Sequence, residues 1–308
     1  MNILALAGGV GGAKLADGLQ RVVGENLTVV VNTGDDFQLH DLYIAPDLDT
    51  VMYTLAGIAN PQTGWGIAGD TFHNLEMISQ YGGEDWFKLG DRDLATHLLR
   101  TQMLRRNYTL TQATRNLAQA LGVRATILPM CNEPVATIVN TNAGELTFQE
   151  YFVHRRWQPV LKAYRFHGIE KTRVTPEVTY AFQNAHAIIF CPSNPFVSIE
   201  PILSVKGMRE LVQKSRVPKI AVSPIVGGEA LKGPAGKMFV ELGRAPSAYE
   251  VAKIYRGVID RFVLDRVDEE QARDIKDLGM RVWVTDTVMR DEMERARLAR
   301  EICEWATR

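Results

Sequence analysis

The chain has 308 residues, 46% hydrophobic and 23% charged, with 35 basic and 36 acidic side chains and a net charge of -1. That length is long for one compact core and short for two, so one large α/β domain with an inserted subdomain is expected. The even charge balance argues against a general nucleic-acid binder, while leaving room for a local basic pocket that takes a phosphorylated small molecule.

The three cysteines, Cys131, Cys191 and Cys303, are odd in number and widely spaced, which fits neither a disulfide framework nor a zinc site. The N-terminal run Met1–Ala7 lacks a basic flank and stops at glycines, unlike a signal peptide. No apolar stretch approaches the ~20 residues of a membrane-spanning helix. A cytoplasmic location with no membrane partner is expected.

Taken in chain order, residues 2–7 read as a buried parallel strand that ends in a Gly-rich turn. Leu15, Leu19 and Val22 recur at helical spacing over 13–23, and Val29, Val30 and Val31 centre a second strand over 27–32. Strand, turn, helix and strand make a βαβ unit and imply a parallel sheet. Residues 33–50 read as loop and 50–58 as helix. From 60 to 122 the pattern is mainly helical, clearest over 94–104 and 110–121, and this is the expected insert. Strands follow at 126–128, 135–140 and 146–153, with a hairpin turn at 141–144. Residues 187–190 and 219–222 read as buried strands with a helix over 206–214 between them. A strand at 282–285 and an amphipathic helix over 290–306 close the chain. The expected fold is a Rossmann-like, doubly wound, mostly parallel sheet with a mainly helical insert, the whole of 1–308 forming one domain.

In such sheets ligands bind beyond the carboxyl ends of the strands. Four loops fall there: 8–14, 32–50, 191–199 and 223–237. The first, Gly8-Gly9-Val10-Gly11-Gly12-Ala13-Lys14, opens a helix and suits an anion, although it matches neither the P-loop nor the dinucleotide fingerprint. The second carries Asp35, Asp36, Asp47 and Asp49. Crowded carboxylates beside a phosphate site imply a bridging cation, and oxygen-only ligands suit magnesium. Asp47 and Asp49 lie two apart and would face one way in an extended chain. The third, Pro192-Ser193-Asn194-Pro195-Phe196-Val197-Ser198, is a stiff loop rich in hydrogen-bonding groups. The fourth runs from Ser223 through Gly227 and Gly228 to Lys232 and Lys237, and its composition again favours an anion. A fifth stretch, Trp86-Phe87-Lys88-Leu89-Gly90-Asp91-Arg92-Asp93-Leu94-Ala95-Thr96-His97, lies in the insert and mixes aromatic with charged residues as a grip on a planar polar ligand would. Each motif also has a plain structural reading as a turn, a cap or a solvated loop. The six histidines are scattered, with no metal spacing and no Ser-His-Asp arrangement.

Seven segments in order resemble one family: Gly8–Leu15, Asn32–Asp36, Pro46–Val51, Leu89–Asp93, Phe148–Phe152, Pro192–Pro195 and Ser223–Gly228. The chain is similar to the 2-phospho-L-lactate transferases, from about residue 3 to about 302. The resemblance implies a magnesium-dependent transferase of the 2.7.8 class in coenzyme F(420) biosynthesis. Its acceptor would be Fo, the deazaflavin alcohol 7,8-didemethyl-8-hydroxy-5-deazariboflavin. Its donor would be a phospho-acid joined through a diphosphate to guanosine, with GMP leaving, and a homodimer is expected.

Carried over by position, Asp49 and Lys88 match the family's Fo-binding pair. Asp49 is the first expected metal ligand and Asp47 the second. Asp49, Asp47 and Lys14 are the candidate catalytic residues. Gly8, Gly9, Gly11 and Gly12 would face the diphosphate, with Lys14 or Lys232 neutralising charge. Ser193, Asn194, Pro195, Ser223, Gly227 and Gly228 would line the nucleoside. The loop Met130-Cys131-Asn132-Glu133-Pro134 departs from the family's Met-Ser-Asp-Asp-Pro, and His40-Asp41 stands where glycine is common. The donor acid is therefore left open among 2-phospho-L-lactate, phosphoenolpyruvate and 3-phosphoglycerate. The alternative is a non-catalytic UDP-sugar-binding regulator of the same superfamily.

Overall fold

A computed structural model describes residues 1–308. Its centre is a seven-stranded sheet of β1 (Ile3–Ala7), β2 (Leu27–Val31), β3 (Thr126–Pro129), β4 (Ala187–Phe190), β5 (Lys219–Val222), β6 (Arg261–Asp265) and β7 (Arg281–Thr285). The strand order is β7-β6-β5-β4-β1-β2-β3, and every neighbouring pair is parallel. The doubly wound fold is as expected. The order reverses between β1 and β4, which opens a crevice at the carboxyl ends of those two strands.

Both faces of the sheet are covered, which is why its strands are nearly continuous apolar runs. All five residues of β1 are buried. Their side chains alternate between two layers: Leu4 and Leu6 join one core cluster, while Ile3, Ala5 and Ala7 join the other. Strand β6 was not legible in the sequence. Its short apolar centre, Phe262-Val263-Leu264, is flanked by Arg261 and Asp265, both of them buried.

The 33–50 stretch is more ordered than a loop. Phe37–Leu39 pairs with Leu42–Ile44 in a small hairpin. His40 and Asp41 turn it with φ of 51° and 58°, the left-handed pair of a type I′ turn. That backbone is the physical reason glycine also suits the position. Helix α1 (Gly9–Val23) follows β1, and α2 (Pro46–Leu55) starts at Pro46 rather than Thr50. Proline at the first helical position is preorganised for this start. Asp47 and Asp49 therefore lie in the first turn of a helix and point to different sides, not one way as an extended chain would have them.

Between α2 and β3 come α3 (His73–Gln80), α4 (Asp91–Arg105) and α5 (Leu110–Ala120). Helix α5 buries Leu110, Ala113, Leu117 and Ala118, whereas α3 buries nothing. The two outer helices, α3 and α4, are joined by reciprocal caps. The Asp91 carboxylate accepts from the Thr71 hydroxyl and from the backbone N–H groups of His73 and Asn74. The Asp70 carboxylate accepts from the N–H groups of Arg92 and Asp93. Gly90 sits where any Cβ would run into the Asp70 carboxylate. The Leu89–Asp93 motif is thus, in the main, a helix junction. Trp86 beside it stacks on Phe37 and on His154.

A three-stranded antiparallel sheet, Gly144–Thr147, Ala136–Thr141 and Leu161–His167, lies outside the main sheet. The expected strand over 146–153 ends at Thr147, and Glu150–His154 is a helical turn. Phe148 and Phe152 explain the difference. They stack four residues apart with centroids at 5.5 Å, a spacing that only a helical backbone allows. Residues 148–153 therefore form no free strand edge. No helix is long and apolar enough to cross a membrane.

Two outcomes follow for the junction. Gly90→Ala should lower stability by about 1–3 kcal/mol, because the added methyl displaces Asp70 from two N–H groups; a fall in the thermal midpoint with retained circular dichroism checks it. The hydrogen bonds to Asp91, led by that of the Thr71 hydroxyl, pull its carboxyl from 3.8 down to about 2. A depressed carboxyl stabilises the fold above its unfolded value and loses that contribution as pH falls through its folded one. Protection of the His73 and Asn74 amides, corrected for intrinsic exchange, should therefore fall between about pH 4 and pH 2, and Asp91→Asn should abolish that fall.

Candidate functional site

The site forms where β1, β2 and β4 end. Residue Asn32, just past β2, ties three loops together. Its side-chain N–H donates to Asp47 Oδ2 at 2.9 Å and to the Val197 carbonyl at 3.2 Å, and its Oδ1 accepts from the Gly34 N–H. Asp47 turns its other oxygen to the Gly9 N–H at 2.7 Å. The Ser193 hydroxyl accepts from the Gly8 N–H and donates to the Gly8 carbonyl. Gly11 lies against the Pro192 carbonyl, where a Cβ has no room.

The expected anion turn is therefore partly filled by the protein itself. Asp47 sits as an anion at the N-terminus of α1, where free N–H groups and the helix dipole favour negative charge. Lys14, half-buried, donates to the Met289 carbonyl, and exposed Lys232 donates to the Thr63 carbonyl. Burial, with Arg295 and Lys232 nearby, holds the Lys14 amine below its ordinary value. Two lysines thus stand on one side of the Gly-rich turn with only carbonyl partners.

Four carboxylates are buried here: Asp35, Asp36, Asp47 and Asp49. Asp36 accepts from the Tyr43 hydroxyl at 2.8 Å. One oxygen of Asp35, one of Asp36 and the Thr33 hydroxyl are buried with no partner. Burial raises Asp35 and Asp36 well above the carboxylate range, with Asp47 adding to Asp35. Burial also pushes Asp47 up to about 6.

Asp49 has a different environment. Arg100 of α4 meets both of its oxygens, with Nη1 3.0 Å from Oδ2 and Nη2 on Oδ1. His97 stands beside the pair, its Nδ1 3.6 Å from Asp49 Oδ2 and its Nε2 3.2 Å from Asp93 Oδ1. The Tyr53 hydroxyl donates to Asp93 at 2.7 Å. Burial alone would raise the Asp93 carboxyl, but the hydrogen bond and charge of His97 outweigh it and hold the group below its usual value.

Among the other expected residues, Lys88 is exposed. Asn194 accepts from the Phe196 N–H and caps its own turn, with buried Pro195 at the start of that turn. The Ser223 hydroxyl is spent within its own turn. The Gly227 N–H donates to Asp268, which leaves Gly227 and Gly228 in a hairpin held from the far side. Lys237 is engaged by Glu241 and the Pro159 carbonyl. Asn132 accepts from the backbone N–H and the hydroxyl of Thr111 and so docks the start of α5, a role its oxygen would share with that of an aspartate. Cys131 is fully buried beside Glu133, and burial pushes its thiol up to about 12.

Arg100 was not singled out from the sequence, and Asp93 and His97 entered only as members of the 86–97 stretch, with no role of their own. The signal was their spacing, i, i+4 and i+7, which puts all three on one face of α4. A polar triplet of that kind reads as a solvated face unless the partner carboxylate is known.

The chain matches the family model described as 2-phospho-L-lactate transferase CofD over residues 3–303. It is 39% identical to the 2-phospho-L-lactate transferase of Methanosarcina mazei over 288 residues, 93% of this chain and 94% of that one. It is 40% identical to the phosphoenolpyruvate transferase of Streptomyces griseus over 313 residues, 99% of this chain and 98% of that one. A solved UPF0052-family protein from Bacillus halodurans has a similar fold, with TM-score 0.66, 16% identity and 98% of each chain covered. The chain belongs to the CofD family of 2-phospho-L-lactate transferases, and is a phospho-acid transferase of that type in coenzyme F(420) biosynthesis.

Proposed function

We propose that the chain transfers a phospho-acid from a guanosine-diphosphate-linked donor to the ribityl hydroxyl of Fo, with GMP as leaving group. The supporting observation is the meeting of an anion-favouring helix start, two lysines and four buried carboxylates at one switch point, in a chain of this family. Transfer of this kind needs no covalent enzyme intermediate, only positioning and charge neutralisation.

The residues fit magnesium. The donor set is all oxygen, and two carboxylate oxygens and a hydroxyl are buried without partners. In this reading Asp47, with Asp35 and Asp36, would hold the ion once Asp47 leaves the Gly9 and Asn32 N–H groups and the three carboxylates converge, which they do not do here. Asp49 was the first choice from the resemblance, but its two oxygens face the Arg100 guanidinium, and it is assigned to the acceptor with Lys88. Bound magnesium would supply charge neutralisation on the diphosphate. Lys14 and Lys232 would leave their carbonyl partners to meet the donor's phosphates. The β4 and β5 loops, 191–199 and 223–228, would take the nucleoside.

Three measurements test this. Purified protein with Fo, magnesium and the three guanylylated acids should release GMP with one of them, and the product mass identifies the acid. A UDP-sugar bound in place of Fo would overturn the transferase reading. Asp47→Asn should lower kcat by about 100-fold or more, since it weakens both the metal set and the α1 contact; an unchanged kcat removes Asp47 from the mechanism. Lys14→Ala and Lys232→Ala should each weaken GDP binding by about tenfold by calorimetry.

A further inference from the structure

Beside its apolar packing, the insert meets the main domain at the site through charged and polar side chains. Arg100 is the largest fully buried side chain of the molecule, 1% exposed. It projects from α4 onto Asp49 of α2, and its Nη1 lies 3.3 Å from His97 Nδ1. His97 leads on to Asp93, and Asp93 to the Tyr53 hydroxyl, one turn along α2 from Asp49. Asp49 and Tyr53 on α2 therefore face Asp93, His97 and Arg100 on α4 as one polar cluster, in which His97 Nε2 and Arg100 Nε keep no hydrogen-bond partner. The side-chain hydroxyl of Thr101, the next residue of α4, accepts from the Tyr43 N–H and fixes the helix to the 37–44 hairpin.

Ligand atoms of Asp49, Asp93 and His97 lie within 4.8 Å of one another, a spacing a metal ion could use. The fixed positive charge of Arg100 on Asp49 opposes a cation there. A carboxylate offers about four acceptor directions, two on each oxygen. The guanidinium fork takes one on each and sets the plane of the group. The other directions are left for a hydroxyl or N–H donor.

We propose that Arg100, buttressed by His97 and Asp93, is a positioning residue that fixes the Asp49 carboxylate to accept hydrogen bonds from the hydroxyl-bearing acceptor, with α4 as its carrier. The insert then acts in acceptor recognition through this side chain as well as through Lys88. Lysine cannot replace it, because a point charge on a flexible stem does not hold a carboxylate plane. The proposal rests on the transferase reading above.

The test compares wild type with Arg100→Lys in three readouts: Fo binding by fluorescence, GDP binding by calorimetry with magnesium, and steady-state kinetics. Arg100→Lys should raise Kd and KM for Fo by about tenfold or more, with GDP affinity and kcat within about threefold of wild type. Should it fail to fold, His97→Gln takes its place, with the same split and a loss of about threefold for Fo. Fo affinity within twofold of wild type in the folded variant overturns the proposal. So does an equal loss of Fo and GDP binding, which marks a structural role only. A wild-type chain that binds no Fo overturns the functional reading, and the positioning role with it.

Discussion

The constraint on which this site depends is an imbalance of buried charge. Asp35, Asp36, Asp47, Asp49 and Asp93 are all buried, and the guanidinium of Arg100 meets only Asp49 directly. Removing an ion from water costs several kcal/mol even after relaxation, so each carboxylate must be compensated or carry a raised proton affinity. The chain solves this unevenly. Asp49 receives a fork of two N–H groups, Asp93 a phenol and an imidazole, and Asp47 a backbone amide and an asparagine. Asp35 and Asp36 are left with bare oxygens. The fold thus gathers more carboxylates here than it supplies with partners.

The same economy explains the Gly-rich turn. Its glycines admit neighbouring chain, Pro192 against Gly11, as much as any ligand. Asp47 and Ser193 take the first two N–H groups. The turn is thus a joint between three loops, and the anion-favouring field of α1 is shared between a protein carboxylate and whatever arrives from solvent.

Much of the fold was legible in the sequence. The strands β1, β2, β4 and β5 announce themselves as short apolar runs ending in glycine, asparagine, proline or serine, and the crevice follows from their order. Strand β6 was hidden because charged residues bracket three apolar ones. The 150–154 turn was misread because Tyr151, Phe152 and Val153 favour strands in isolation, while tertiary stacking of Phe148 on Phe152 selects a helix. Of the site, the carboxylates of the 33–50 stretch were visible as a composition. Their division into carboxylates with an unpartnered oxygen and an arginine-bound one was not, because pattern reasoning places a helical Arg, His and Asp on the outside. Only the packing of α4 on α2 turns that face inward.

The junction of α3 and α4 bears on how substitution data for such a chain are weighed. Gly90 and Asp91 touch no proposed substrate, yet a change at either disturbs the first turn of a helix whose later turns carry His97 and Arg100. In a saturation screen scored by activity, both positions would rank beside Asp47. Their intolerance would report the fit of one carboxylate against one missing Cβ, and a screen scored by abundance would separate the two causes.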